Sequence, residues 1–162
     1  MIKNNSPNTI VIKLFCYCYT LSGQMSLKEK IAMSTIIKVR GYHIDLFQHV
    51  NNARYLEFLE AARWDLLTEG DTLEWLNHKN IGFVVVNINI NYRHPAVITD
   101  ELEVKSSMQE LRNKSGTFFQ EIVRRSDNQI IADALITFVC IDLKTQKALV
   151  LEGELRKRME AY

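Results

Sequence analysis

Gly41-Tyr42-His43-Ile44-Asp45-Leu46-Phe47-Gln48-His49-Val50-Asn51-Asn52-Ala53-Arg54-Tyr55 and its continuation Leu56-Glu57-Phe58-Leu59-Glu60-Ala61-Ala62-Arg63 change character part-way along. The first part reads as a loop of mixed polar and apolar residues. From about Ala53 a helix begins, on which Tyr55, Leu59, Ala62 and Leu66 recur at helical spacing. Leu56, Phe58, Trp64 and Leu67 widen the apolar face beyond a single stripe. Such a helix needs cover on most sides, and a sheet wrapped around it supplies that cover.

The flanking sequence reads mostly as strands. Upstream, from Thr35 to Gly41, Ile37 and Val39 alternate with Lys38 and Arg40. Downstream, Glu69-Gly70-Asp71 is a turn, Thr72 to His78 a short helical piece, and Ile81 to Tyr92 a strand. In that strand Val86, Ile88, Ile90 and Tyr92 alternate with Asn87, Asn89 and Asn91, giving one apolar and one amide face. His94-Pro95 ends it, because proline lacks the ladder N–H. Strands at Glu101–Leu111, Thr117–Arg125 and Gln129–Asp142 follow, joined by turns at 112–116 and 126–128. A weakly helical, charge-rich tail runs from about Leu149 to Ala161, with Glu154 and Arg158 four apart. One helix followed by four strands makes an α+β domain with an antiparallel sheet.

The loop before the long helix is where chemistry fits. A helix start leaves N–H groups unpaired and carries the positive end of the helix dipole, so Asn51 or Asn52 as N-cap prepares a seat for developing negative charge. The backbone N–H groups of Asn51, Asn52 and Ala53 are candidate oxyanion donors; the alternative is that both asparagines are structural caps. Asp45 is placed to serve as general base for a water or as nucleophile, or else merely to cap a turn. His49 suits proton shuttling or a hydrogen bond to a carbonyl near neutral pH, but a lone histidine also serves as a structural residue.

Composition bounds the answer. Of 162 residues, 47% are apolar and 24% charged, an ordinary balance for one domain with a real core. The net charge of +1 offers no basic field for nucleic acid, and no apolar window has the length of a membrane span. Three cysteines, Cys16, Cys18 and Cys140, make no disulfide framework, and the four histidines have no metal-ligand spacing, so no metal is expected. Residues 1–32 read apart from a domain at 33–162. Ile10 to Leu21 has the outline of a signal peptide, but Lys13 interrupts it and Leu21-Ser22-Gly23 is a poor cleavage site. The preferred reading is a start at Met25 or Met33 with a misassigned or disordered leader.

The run Asp45-x-x-x-His49-Val50-Asn51-Asn52-x-x-Tyr55, with Leu56 to Arg63 after it, resembles the hotdog-fold thioesterases of the 4-hydroxybenzoyl-CoA thioesterase family, most of all its bacterial long-chain acyl-CoA members. The resemblance extends from about Ile36 to about Leu155. It implies a hotdog fold and a cytoplasmic acyl-CoA thioesterase without bound cofactor. It also implies a homodimer or homotetramer with sites between subunits, for which the amide face of Asn87, Asn89 and Asn91 offers a pairing surface. Asp45 falls on the family's catalytic Asp, and Tyr55 keeps its interval as a substrate-side residue. The related plant acyl-carrier-protein thioesterases carry a catalytic Asn where Phe47 stands here. Glu60 is a second candidate carboxylate; its simpler role is an ion pair with Arg63 or with a partner subunit. Lys114-Ser115 matches a turn that lies near CoA phosphates in the family, with Arg112 and Arg124 as companions, although exposed turn lysines are usually just solvated.

Two other classes fit parts of the pattern: a hotdog dehydratase or hydratase, and a non-catalytic acyl-CoA-binding regulator, for which no DNA-contacting element is visible. Absence of a Gly-x-Ser-x-Gly elbow argues against a serine hydrolase. Acyl length rests on the resemblance, with Phe58, Trp64, Phe83, Phe118, Phe119 and Phe138 as candidate tunnel lining or ordinary core.

Overall fold

Helix α1, Asn52–Glu69, lies against a five-stranded antiparallel sheet in the computed structural model, which describes residues 33–162. The separate reading given to residues 1–32 lies outside the described residues. The strands are β1 (Met33–Lys38), β2 (Ile81–Tyr92), β3 (Glu101–Leu111), β4 (Ser115–Arg124) and β5 (Gln129–Asp142). Their spatial order is β1-β3-β4-β5-β2, so β1 and β2 form the two edges. Short helices α2 (Thr72–His78) and α3 (Gly153–Glu160) complete the described chain. This is the hotdog arrangement, a sheet curled partly around helices. Among the described residues no helix is long and apolar enough to cross a membrane.

The core sits between α1 and the concave face of the sheet. Tyr55, Phe58, Leu59, Ala62, Leu66 and Leu67 are buried from the helix, and Leu102, Val104, Phe118, Ile122, Ile136 and Phe138 from the strands. Phe138 stacks on Phe83 and Phe118 at centroid separations of 4.4 and 5.2 Å. Of the candidate tunnel aromatics, Phe58, Phe83, Phe118 and Phe138 therefore serve as packing. Phe119 belongs to the opposite parity of β4, and Trp64 is exposed.

Four details depart from the sequence reading. The first strand starts and ends earlier than Thr35–Gly41, because Gly41–His43 forms a 3-10 turn. Ser115 and Gly116 belong to β4 rather than to the preceding turn, and a side chain at Gly116 would meet the Phe138 ring at 2.4 Å. Val86 leaves the apolar face of β2: the register against β5 slips between Val85 and Asn87, so Phe83 and Val85 pack inward before the bulge and Ile88 and Ile90 after it. Leu56 and Trp64 do not widen the buried face of α1; they form an exposed stripe with Glu60, and the buried residue on that flank is Arg63.

The Arg63 guanidinium enters the core to donate from Nη1 to Gln120 Oε1 at 2.8 Å. The expected Glu60–Arg63 ion pair does not form, since Glu60 Oε1 accepts from the Trp64 indole at 3.3 Å instead. The Glu154–Arg158 pair does form, at 3.2 Å.

Candidate active site

The loop between β1 and α1 is closed by a ladder of short contacts. Arg40 and His43 exchange two bonds: the Arg40 N–H donates to His43 Nδ1 at 3.0 Å, and the His43 N–H to the Arg40 carbonyl at 3.0 Å. Ile44 bridges Val50, and the Asp45 N–H donates to the His49 carbonyl at 2.8 Å. Val50 donates to the Ala96 carbonyl at 2.9 Å, tying the loop to the segment after β2. Gln48 turns the chain with a left-handed φ of 64°.

Within this frame Asp45 is half-buried, and its Oδ1 accepts the Phe47 N–H at 2.8 Å. That bond is a turn-capping contact, so one oxygen has the structural role weighed above. It also fixes the carboxylate's orientation and leaves Oδ2 for a reacting group.

Asn51 is the N-cap of α1, its Oδ1 accepting the Ala53 N–H at 2.9 Å. The Asn51 N–H donates to the His43 carbonyl at 2.9 Å. Two of the three expected oxyanion donors, Asn51 and Ala53, are therefore occupied by the chain's own oxygens, and among the described residues the helix start leaves the Asn52 N–H open. The Asn52 carbonyl in turn accepts the Tyr92 hydroxyl at 3.2 Å, anchoring the first turn of α1 to the end of β2.

Tyr55, the expected substrate-side residue, is buried and supports the loop. Its hydroxyl accepts the Ala96 N–H at 3.3 Å, its ring packs edge-on to Tyr92 at 5.5 Å, and burial raises its pKa. His49 is exposed and makes its loop contact through the backbone carbonyl, leaving the ring available at the rim. Tyr42, Leu46 and Phe47 of the same loop are 72%, 89% and 76% exposed among the described residues.

The remaining candidates lie elsewhere. Glu60 stands roughly 12 Å along the helix axis from Asn52, by the helical rise. Lys114 and Ser115 lie at the far end of β3 from the loop: Asp100, just before β3, accepts the Val39 N–H at 2.8 Å, while Arg112, just after it, pairs with Glu110 at 2.9 Å. The length of β3 puts roughly 30 Å between them. Arg124 is on the Asp45 side, but Asp127 holds it at 2.8 Å and Asp100 at 3.5 Å. The fold therefore gathers Asp45, His49 and the α1 N-terminus, and leaves Glu60, Lys114 and Ser115 outside the cluster in a single chain.

Sequence reasoning missed His43. Its ring is buried, edge-on to Phe58 of α1 at 4.9 Å and to Tyr42 at 4.2 Å. Desolvation, then the neighbouring Arg54, lower its pKa below the ordinary 6.5, with Glu57 opposing. The neutral ring is favoured by folding, so its stabilising contribution is complete above pH 6.5 and declines as the pH falls through the lowered folded value. A histidine in a 3-10 turn carries no periodic signal that marks it as buried.

The model of the thioesterase-like superfamily matches residues 39–159, spanning the loop, α1 and strands β2 to β5. The chain belongs to the thioesterase-like superfamily. It is a thioesterase. It is 64% identical over 128 residues to the long-chain acyl-CoA thioesterase FadM of Escherichia coli (strain K12), covering 79% of this chain and 97% of that protein. The crystal structure of the probable thioesterase YbaW from Escherichia coli superposes with a TM-score of 0.76 at 64% identity, covering 80% of this chain and 97% of that one. A 1,4-dihydroxy-2-naphthoyl-CoA thioesterase from Synechocystis shares the fold at a TM-score of 0.69 and 19% identity, covering 78% of this chain and 93% of that one.

Proposed function

We propose that this thioesterase hydrolyses long-chain fatty acyl-CoA to a free fatty acid and CoA, with Asp45 as the catalytic carboxylate. The observation that carries the reading is the Asp45 side chain held by the Phe47 N–H at 2.8 Å in a loop that runs directly into the capped N-terminus of α1. Water adds to the thioester carbonyl, Asp45 taking its proton, or the carboxylate attacks first and the resulting anhydride is hydrolysed. In either route the carbonyl oxygen becomes an oxyanion facing the Asn52 N–H and the helix dipole. The C–S bond then breaks, and the departing CoA sulfur takes up a proton, for which His49 at the rim is the donor. The exposed Leu46 and Phe47 give the acyl chain an apolar approach. The 64% identity to a relative named for long-chain acyl-CoA supports chain length. A CoA substrate also fits the cytoplasm, the compartment expected from the sequence.

Saturated acyl-CoAs from C4 to C18 together with benzoyl-CoA, followed by thiol release, test this directly. The expected result is a rise in kcat/KM towards the long chains, and a maximum at short or aryl thioesters would overturn the chain-length assignment.

The same reading places the active unit in a homodimer or homotetramer. Edge strand β2 is twelve residues long, pairs among the described residues only with β5, and exposes Val86, Asn87, Asn89, Asn91 and Tyr92. A long unpaired edge is a template for a second strand, and an antiparallel β2–β2 contact about a two-fold axis joins two sheets into one. A second copy is also what brings a remote Lys114-Ser115 turn within reach of a CoA bound at the first copy's loop. Val86→Lys with Asn89→Lys, which blunts the edge by charge, should give a folded monomer in sedimentation with little activity. A fully active monomer would remove the shared-site assignment.

A further inference from the structure

We propose that His43 is a positioning residue for thioester hydrolysis: its neutral imidazole, accepting at Nδ1, latches the Asp45 loop closed against α1. The inference rests on the assignment of Asp45 as the catalytic carboxylate. Three contacts converge on this one residue. Its Nδ1 accepts the Arg40 N–H at 3.0 Å at the loop's entrance. Its carbonyl accepts the Asn51 N–H at 2.9 Å at the loop's exit, on the N-cap residue of α1. Its ring abuts Phe58, a buried residue two turns into the same helix, at 4.9 Å. Asp45 lies two residues beyond the latch and the open Asn52 N–H one residue beyond its other end, so His43 sets the spacing between the carboxylate and the oxyanion donor.

An acceptor role for Nδ1 requires the neutral ring with its proton on Nε2. Protonation would place an N–H against the Arg40 N–H and abolish that bond. The surroundings offer the cation little relief. Arg40 from the loop and Arg54 from α1 both oppose it, and Glu57, the carboxylate that favours it, is already held by Arg54 at 2.7 and 2.8 Å. Burial disfavours the charged ring further. A neutral-to-cation change at this position therefore opens the latch while leaving Asp45 and Asn52 chemically intact.

The test is the pH dependence of single-turnover palmitoyl-CoA hydrolysis by the full-length oligomer, with wild type, His43→Leu and His43→Asn on equal footing. His43→Leu, which keeps a buried apolar side chain but no acceptor, should lose tenfold or more in kcat with KM changed far less. Asn presents an acceptor near the position of Nδ1, and His43→Asn should recover most of that loss. The wild-type acid limb below pH 6.5, falling about tenfold per pH unit for a one-proton step, should be absent or displaced in His43→Asn. If the leucine variant fails to fold, imidazole ¹⁵N shifts of the wild type decide: the Nε2–H tautomer should be present at pH 7.5, and its titration should coincide with the acid limb. An unchanged acid limb in His43→Asn, or an Nδ1–H tautomer, would overturn the latch while leaving the Asp45 assignment standing. An active Asp45→Asn enzyme would instead remove the reading on which the latch rests.

Discussion

Asp45→Asn should lower kcat for long-chain acyl-CoA hydrolysis by about 100-fold or more, the usual scale of a general acid–base contribution, with KM and the unfolding midpoint nearly unchanged. The geometry makes this substitution unusually clean. Asp45 holds its turn through one oxygen, Oδ1, which accepts the Phe47 N–H at 2.8 Å. An asparagine retains that oxygen and therefore the cap. What it loses is the negative charge and the basicity of the second oxygen, which the mechanism uses. Asp45→Ala provides the contrast, because it removes cap and charge together and should also cost about 1 kcal/mol of stability, as for other lost capping contacts. His49→Ala should lose less activity than Asp45→Asn, because an exposed ring at the rim is more readily replaced by water. Single-turnover rates and urea midpoints measured on the same preparations separate the two effects. Near-normal turnover by a well-folded Asp45→Asn enzyme would end the carboxylate mechanism.

Local signals in the chain carried the elements, and long-range contacts decided the site. α2, β2, β3 and β5 begin and end where alternation and turn residues place them, since a period-two pattern bounded by residues such as Asp127 and Asn128 is written in adjacent positions. The bulge at Val86 is not local information. Its apolar side chain continues the alternation of Ile88 and Ile90, and only the register against β5 shows that the inward parity changes there. The site divides in the same way. Asp45 and the N-cap Asn51 are neighbours in sequence and in space, so the motif located them together. Lys114 and Ser115 join the site only through the family resemblance, while β3 carries them to the other end of the sheet within one chain, and a distance along a strand is invisible without the sheet's order. The oxyanion donors illustrate a finer limit. Three consecutive N–H groups at a helix start look equivalent in sequence, but the loop's own closure uses the first and the cap side chain uses the third.

Gln120→Leu should destabilise the fold by about 3 kcal/mol, at the lower end for breaking one partner of a buried charged contact. Gln120 is fully buried on β4, where a glutamine among Phe118 and Ile122 interrupts an otherwise apolar face. It earns its place by three bonds: Oε1 accepts from Arg63 at 2.8 Å, while Nε2 donates to the Leu59 carbonyl at 3.1 Å and to Ser106 Oγ at 2.7 Å. Leucine fills a similar volume and supplies none of them, so the guanidinium of Arg63, a residue only 7% exposed whose pKa burial lowers, loses this acceptor. Arg63→Met should be milder, about 1–2 kcal/mol, because it leaves a neutral amide oxygen unsatisfied rather than a charge. The double variant Arg63→Met/Gln120→Leu removes both partners of that contact, leaves only Ser106 Oγ and the Leu59 carbonyl without the Nε2 donor, and should cost about 2 kcal/mol, well short of the sum of the two single losses. Urea unfolding of the four proteins measures this coupling between α1 and the sheet. Additive losses would mean that the Arg63–Gln120 contact does not hold the helix, and that each side chain acts through separate neighbours. Activity per folded enzyme in the double variant then reports on the site itself, since the mid-point of α1 would be held by packing of Leu59, Ala62 and Leu66 alone while the Asp45 loop and its N-cap remain intact.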